Sequence, residues 1–373
     1  MLKKVAILSA LVGLAVSLEA CAPGAVPPPT PISKAPTVAP AAAAKTAEPT
    51  KPAATATATP KPATLRFGSI PTTGLAGVYL AVEKGYFKEQ GIILELVDFR
   101  TTPEIIAPLG TGLLDVAGLA LSTPLLAAAD RGVELKLVAA AGTTTASFEY
   151  NWIMLRKDLK DSGQVKSAAD LKGMKVSVPS QGSIGDQTVQ MMLEQAGLKP
   201  EETEIIVLPA AEQAAAFANK AVAAGYTVEP QVTRSVQDGV AVKWMPVSPF
   251  YGGQAHGSAI VFGPSILKDQ DLSRRWMLAY VKAVRDYLKG VTARQGWEEM
   301  VKSLIKYTPV KEAGTYEAME MPYIDPNVRL DKNSINIQYR WSVDKGFYTG
   351  KKSFDDITDL SYTDYAVQRL GRQ

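Results

Sequence analysis

The sequence predicts an α/β fold built on a largely parallel sheet. From residue 64 onward, strand-like runs alternate with helical runs of about ten to fifteen residues, the spacing of strand–helix units. Polar residues gather at the ends of several of these strands. Residues 170–197, DLKGMKVSVPSQGSIGDQTVQMMLEQAG, show the unit most clearly. Residues 175–179 alternate apolar and polar side chains and end in Pro179. Ser180-Gln181-Gly182-Ser183 makes a tight polar turn in which Gly182 is free to take a positive φ. Ser183 is then a natural N-cap, with Asp186 at the third helical position, where a capping-box acid sits. Val189, Met192, Leu193 and Ala196 recur at i, i+3, i+4 and i+7, so one helix face is buried. Gly197 follows as a C′ stop. A helix N-terminus at the end of a strand turns backbone N–H groups into a crevice, where polar or anionic ligand groups bind. The same segment also reads as an ordinary turn that binds nothing.

Taken in order, residues 65–70 alternate as a strand, which Pro71-Thr72-Thr73-Gly74 breaks. Residues 75–90 are helical in pattern, interrupted at Gly85, and Gly91 leads into a strand at 92–99. Pro103 suits the first turn of a helix reaching 109. Residues 116–120 read as a buried strand. Ser122-Thr123-Pro124 starts a helix that Gly132 ends, and 135–141 is another strand. Residues 142–150 are polar and then aromatic, and 151–156 is a further strand. Strands at 204–209 and 223–228 flank a helix at 211–221, and Glu229-Pro230 opens the next helix. Residues 240–247 and 259–262 read as strands returning toward the first half. The helix at 272–289 carries two apolar stripes, one through Trp276, Tyr280, Ala283 and Tyr287, the other through Met277, Val281, Val284 and Leu288. Two stripes bury a helix over most of its girth. The tail from 295 is mainly helical, with a break at 322–326.

The 373 residues suffice for two domains, and a net charge of +3 argues against a nucleic-acid footprint. One cysteine and one histidine exclude disulfides within the chain and a zinc site of clustered Cys and His. Residues 1–20 read as a signal peptide: Lys3 and Lys4 form a basic start, and 5–18 is a short apolar run. It ends Leu18-Glu19-Ala20-Cys21, which resembles a bacterial lipoprotein signal, so Cys21 is expected to carry lipid, palmitate included. Residues 21–63 are almost wholly Ala, Pro and Thr and read as a tether. Fully extended, it would reach on the order of 130 Å at ~3.1 Å per residue.

Several short motifs then occur in order: Gly85-Tyr86-Phe87-Lys88-Glu89-Gln90-Gly91, Gly112-Leu113-Leu114-Asp115, Asp170-Leu171-Lys172-Gly173, Thr227-Val228-Glu229-Pro230, Tyr323-Ile324-Asp325-Pro326, Trp341-Ser342-Val343-Asp344-Lys345-Gly346 and Asp359-Leu360-Ser361-Tyr362. Together they resemble the nitrate, sulfonate, taurine and thiamine-pyrimidine family of substrate-binding proteins of ABC importers. The resemblance implies a two-lobed periplasmic-binding-protein fold of type II, with mixed sheets flanked by helices and a ligand cleft between lobes. It places lobe one at 64–155 plus 255–373 and lobe two at 156–254. It also implies an ABC permease and ATPase as partners, a monomer, and a lipid-anchored position on the extracytoplasmic face of the cell membrane.

Strand-end loops converge on the cleft in such folds. Here they carry Ser69, Thr72 and Thr73; Ser122 and Thr123; Tyr150, Asn151 and Trp152; Ser180, Gly182 and Ser183; Glu229; and Phe250 and Tyr251. The set is hydroxyls, one amide, one carboxylate and several aromatics. None of these loops contributes an arginine, whereas a small sulfonate or nitrate usually meets a cation or a dense ring of N–H donors. Aromatic walls with scattered hydrogen-bonding groups suit a flat heterocycle. Within the family this points to vitamin uptake, with riboflavin first and a thiamine pyrimidine precursor second. Nitrate, an alkyl sulfonate or taurine, and a ligand-sensing role stand as alternatives. Each residue also has a plain structural reading: Tyr150 and Trp152 as core or interface aromatics, Glu229 as a helix cap, His256 as a hydrogen-bonded loop histidine, and Ser122 and Thr123 as caps.

An enzyme is the least favoured class. The fold lacks a Cys–His pair, a G-x-S-x-G elbow, a phosphate loop and an H-E-x-x-H motif. Some proteins of this architecture form the thiamine pyrimidine from their own histidine, but their cysteine-rich iron motif is missing here. No cofactor or metal is expected.

Overall fold

The computed structural model describes residues 61–373. The signal peptide, Cys21 and nearly all of the expected tether lie outside those residues. Ala63, expected to close the tether, opens the first strand instead.

Twelve strands are formed among the described residues. In chain order they are β1 (Ala63–Ser69), β2 (Ile92–Asp98), β3 (Val116–Leu119), β4 (Lys136–Ala140), β5 (Thr143–Thr145), β6 (Asn151–Arg156), β7 (Lys175–Val178), β8 (Glu204–Val207), β9 (Ala224–Val228), β10 (Ala241–Pro246), β11 (Gln254–His256) and β12 (Ala259–Phe262). The first sheet has the order β2-β1-β3-β12-β4 and the second β8-β7-β9-β6-β10. The two orders match position by position. β12 runs antiparallel to β3 and β4, and β6 antiparallel to β9 and β10. Each sheet is thus a parallel set with one reversed strand in fourth place. The fold is mixed α/β, as the alternation predicts, and the reversed strands are what composition alone does not reveal.

Both sheets are buried on both faces, because helices cover each side. Alternate residues of the first sheet enter different cores: Phe67, Val116 and Phe262 join one, while Ala117, Leu119 and Val261 join the other. The helix Gln270–Ala293 is the keel of the first core. Trp276 is fully buried there, with Phe87, Phe262 and Tyr280 rings 5.3–5.4 Å away. In the second sheet, Ile153, Val176 and Tyr226 face one core and Met154 and Ala241 the other. The expected interruption at Gly85 is real, since φ is +71° there and the helix stops at Glu83 and restarts at Tyr86.

The chain crosses between sheets along a two-stranded ribbon of β5 and β11. β5 lies between a strand of the first sheet and one of the second, and β11 makes the return. Tyr323 adds a third line, exchanging two backbone hydrogen bonds with Thr143 at 2.8 and 2.9 Å. Glu149 fastens this region. Its buried carboxylate accepts from Thr144 Oγ1 (2.8 Å), from the Val247 and Ser248 N–H groups (2.8 and 3.0 Å), and from Ser248 Oγ (2.5 Å). His256 fastens the other end. Its Nε2 accepts from the Asp331 N–H at 2.5 Å, so the ring proton sits on Nδ1, 2.9 Å from Thr143 Oγ1.

Replacing Glu149 with Ala strands two N–H groups and two hydroxyls in the interior. Buried donors left without partners cost about 1–3 kcal/mol each before relaxation. Glu149→Ala is expected to lose about 3 kcal/mol or more of unfolding free energy in urea titrations, and Glu149→Gln visibly less. A loss under about 1 kcal/mol for the alanine variant would remove its fastening role.

Candidate functional site

A cleft with polar and apolar walls lies where the two sheets end. The parallel strands of both point their carboxyl ends at it, and the reversed strands meet it with their amino ends. Its cavity volume is about 90 Å³. The first sheet supplies Ile70 and Thr72 after β1, Arg100–Thr102 after β2, Gly118–Ala120 at the end of β3, and Gly257 and Ser258 before β12. The second supplies Pro179, Ser180, Ser183 and Ile184 after β7, Ala210 after β8, Tyr226 and Val228 on β9, and Tyr150 before β6. A crevice at strand carboxyl ends is where open α/β sheets bind ligands.

Three helices begin at this wall: Thr102–Thr111, Ile184–Gln195 and Ala210–Ala218. Their first N–H groups and dipoles favour an electron-rich ligand group. The local chemistry behind Ile184–Gln195 follows the sequence. Ser183 caps it, accepting from the Asp186 N–H at 3.4 Å and donating to Ser180 O at 2.7 Å. Asp186 turns back to accept from the Gly182 N–H at 2.8 Å and from Gln190 at 2.8 Å. Burial nonetheless raises its pKa, against those two bonds.

The rim is closed across the cleft. Ser122 and Ser183 form an isolated antiparallel bridge, and the Thr123 N–H donates to Gly182 O at 3.4 Å. Gly182 has φ +66°, and a Cβ on it would stand 2.3 Å from Thr123 Oγ1. Both conformation and space therefore call for glycine. Thr73 Oγ1 donates to Glu229 O at 3.3 Å. Arg100, after β2, pairs with Glu212 on the helix Ala210–Ala218.

Of the residues expected at the site, Thr72, Tyr150, Ser180 and Ser183 line the cleft. Ser122, Thr123, Gly182 and Thr73 form its rim contacts. Asn151 is buried directly under the wall, with no hydrogen-bond partner for its carboxamide. Five expected residues stand elsewhere, among them Ser69 and Phe250, which do not line the cleft. Trp152 follows Asn151 on β6, and successive strand residues point to opposite faces. Its indole N–H donates to Glu149 O at 2.7 Å, and Lys243 lies over its ring at 5.2 Å. Glu229 is wholly buried and spends both oxygens on Thr233, accepting from its N–H (2.9 Å) and hydroxyl (2.8 Å). Tyr251 is buried beside Thr188 (3.1 Å) and Ile184 O (3.2 Å). Sequence reasoning missed Tyr226, Gly257, Ser258, Thr101 and Thr102, and it expected no arginine where Arg100 reaches the rim. For Tyr226, the missed signal was its place near the end of a buried strand.

Among the lining residues, Tyr150 and Tyr226 are the two aromatics. Burial raises both pKa values, so both hydroxyls stay protonated. Tyr150 donates to Gly142 O at 3.0 Å. No group of three or more His, Cys, Asp or Glu that could hold a metal ion occurs among the described residues. No described helix is long and apolar enough to cross a membrane.

Comparison with known proteins gives a consistent picture. The family described as NMT1/THI5 like matches residues 72–290. A Brucella abortus protein named as a binding protein is 25% identical over 210 residues, 56% of this chain and 61% of that protein. The match therefore spans about three fifths of that relative's length. The 4-amino-5-hydroxymethyl-2-methylpyrimidine phosphate synthase THI12 of Saccharomyces cerevisiae is 29% identical over 132 residues, 35% of this chain and 36% of the enzyme. Among solved structures, the nitrate-binding protein NrtA of Synechocystis superposes with a TM-score of 0.70 at 17% identity, covering 84% of this chain and 90% of its own. The alkanesulfonate-binding protein SsuA of Xanthomonas axonopodis, bound to MOPS, gives 0.64 at 17% identity, covering 80% and 99%. At such identities these structures show the fold, the periplasmic-binding-protein fold, and nothing finer.

Two buried groups give opposite pH dependences. Burial lowers the His256 pKa from 6.5 to about 4. The folded state then binds fewer protons than the unfolded state between these values, so the His256 contribution is lost as pH falls from about 6.5 to 4. Burial raises the Glu229 pKa from 4.5 to about 7, so its contribution is present below about 4.5 and lost as pH rises to about 7. Each amounts to about 3 kcal/mol at ~1.4 kcal/mol per pKa unit. Relative to wild type, His256→Asn should gain stability as pH falls, and Glu229→Gln should gain as pH rises. Urea titrations from pH 4 to 7.5 check both signs; parallel curves for the three proteins would refute the assignment.

Proposed function

This chain belongs to the NMT1/THI5-like family, and on that premise we propose that it is the extracytoplasmic solute-binding component of an ABC importer. It captures a small solute in the cleft, closes on it, and delivers it unaltered to a membrane permease with its ATPase. Cys21 carries the lipid anchor and residues 21–62 the tether. The bodies that close are the first sheet (β1–β4 and β12) with its helices and the second sheet (β6–β10) with its own, working as a monomer; the expected boundary at 155/156 cuts β6, which belongs to the second sheet. The observation that carries this reading is the cleft itself. Both sheets end on it, contacts from opposite sides meet at its rim, and the chain passes between the sheets along a fastened ribbon. That is the layout of a hinged clasp.

The favoured solute is an uncharged aromatic heterocycle, riboflavin first and a thiamine pyrimidine precursor second. Tyr150, Tyr226 and the aliphatic side chains supply flat apolar surface. Thr72, Ser180, Ser183 and Ser258 supply hydroxyls for a polar chain or ring edge. Arg100 gives a second reading some support. A cation at the rim and three helix N-termini suit an alkyl sulfonate, and a sulfonate-binding protein shares the fold. Arg100 is already paired with Glu212, however, so its charge is balanced before any ligand arrives.

Titrating the purified protein should quench riboflavin fluorescence at micromolar ligand; unchanged emission removes riboflavin. An alkyl sulfonate should leave the melting temperature unmoved. A sulfonate-induced rise that Arg100→Ala abolishes would establish the second reading in its place.

A further inference from the structure

Asn151 holds the least explained polar group near the cleft. It opens β6 and is fully buried. Neither its Oδ1 nor its Nδ2 finds a hydrogen-bond partner. A carboxamide brings two donors and one strong acceptor, and native interiors rarely leave such a group idle. Burial raises the Tyr150 and Tyr226 pKa values, and Asn151, as a hydrogen-bonding neighbour of both hydroxyls, draws them down against it, while neither contact reaches full hydrogen-bond geometry.

Its direction is fixed by strand register. Asn151 pairs with Val228 across β6 and β9, so the two side chains share a face, and Tyr226 shares it two residues back. Val228 and Tyr226 both line the cleft. The Tyr226 hydroxyl is likewise buried and without a partner. Gly257, also on the cleft wall, packs directly against Asn151 and Tyr150. A Cβ there would stand 3.0 Å from Asn151 Nδ2 and 2.1 Å from the Tyr150 hydroxyl. Gly257 is not among the residues with positive φ, so space rather than backbone conformation calls for glycine.

We propose that the Asn151 carboxamide, with the Tyr226 hydroxyl beside it, reads the donor–acceptor edge of the bound solute. The matching chemistry is a ring N–H beside a carbonyl, or an amino group beside a ring nitrogen, as in cyclic imides and aminopyrimidines. This rests on the heterocycle reading above and narrows it. A carboxamide pairs with such an edge through two hydrogen bonds. A sulfonate or nitrate only accepts, and would leave Oδ1 unmet. Asn151 is thus a specificity-determining residue, and sites built on paired hydrogen bonds reject analogues that lack one.

The test has two arms. In the first, riboflavin and its N3-methyl derivative are titrated into wild type and Asn151→Leu. Wild type should bind riboflavin at least tenfold more tightly than the methylated flavin. The variant should bind riboflavin at least tenfold more weakly than wild type and no longer distinguish the two. A variant with undiminished affinity, or wild type indifferent to the methyl group, overturns the assignment. In the second arm, ligand-free Asn151→Leu is melted against wild type. An idle buried carboxamide predicts an equal or higher melting temperature in the variant. A fall of several degrees marks Asn151 as a structural residue bonded to the tyrosines, and overturns the proposal without any ligand. If the variant melts as expected but wild type binds neither riboflavin nor an aminopyrimidine, the heterocycle reading itself has failed and the proposed edge falls with it.

Discussion

Glu149 accepts hydrogen bonds from two stretches of chain that the fold must hold together. Thr144 lies on the outgoing crossing, and Val247 and Ser248 precede the return. The ribbon between the sheets is only three residues long on each side, so its ladder offers few bonds of its own. A buried carboxylate with four donors supplies what the ladder cannot, and does so where low dielectric strengthens each bond. The consequence for the cleft is direct. Tyr150 and Asn151 follow Glu149 immediately, and Gly257 and Ser258 follow β11. Both approaches to the cleft wall leave the ribbon at fixed points, so the spacing between Asn151 and Gly257 is set by the fastener rather than by the loops.

The rim contacts are of a different kind. Thr123 to Gly182 is a single long backbone bond, the Thr73 hydroxyl donates one long bond to Glu229 O, and the Arg100–Glu212 pair is exposed on both sides. Exposed ion pairs are worth about 0–1 kcal/mol and weaken with salt. Strong bonds at the ribbon and weak ones at the rim are the distribution a reversible clasp requires. In the clasp proposed above, opening would break these rim contacts and leave the ribbon intact. A ligand that adds hydrogen bonds across the cleft then biases closure by its differential contacts alone.

Much of this was legible in the sequence because period and punctuation act locally. The alternation at 175–179, the Ser183 cap and the Gly197 stop belong to neighbouring residues, and β7 and its helix fall where they indicate. What was hidden depends on partners far along the chain. β5 and β11 are too short to show a period, and they pair with each other across more than a hundred residues. Tyr150, Asn151 and Trp152 look equivalent as a polar–aromatic run. Strand alternation separates them, turning Asn151 toward the cleft wall and Trp152 to the opposite core. Arg100 sits in a loop that looks unremarkable until the helix bearing Glu212 is brought opposite it. Tyr226 was passed over because the aromatic expectation was placed on loops, and its ring comes from within a strand.

The relation to a pyrimidine phosphate synthase draws attention to the one histidine, which serves here as a fastening. His256 has both ring nitrogens engaged, Nε2 by the Asp331 N–H and Nδ1 by Thr143. A general base needs a free nitrogen within reach of a substrate proton. This one is buried in the ribbon, and it is not among the residues lining the cleft. Freeing it would undo a fastening of the ribbon. The described lining residues instead offer protonated tyrosines, hydroxyls and helix N-termini, together with one arginine balanced by a carboxylate. Such groups are suited to recognising and desolvating a solute, which is the role proposed above for the cleft.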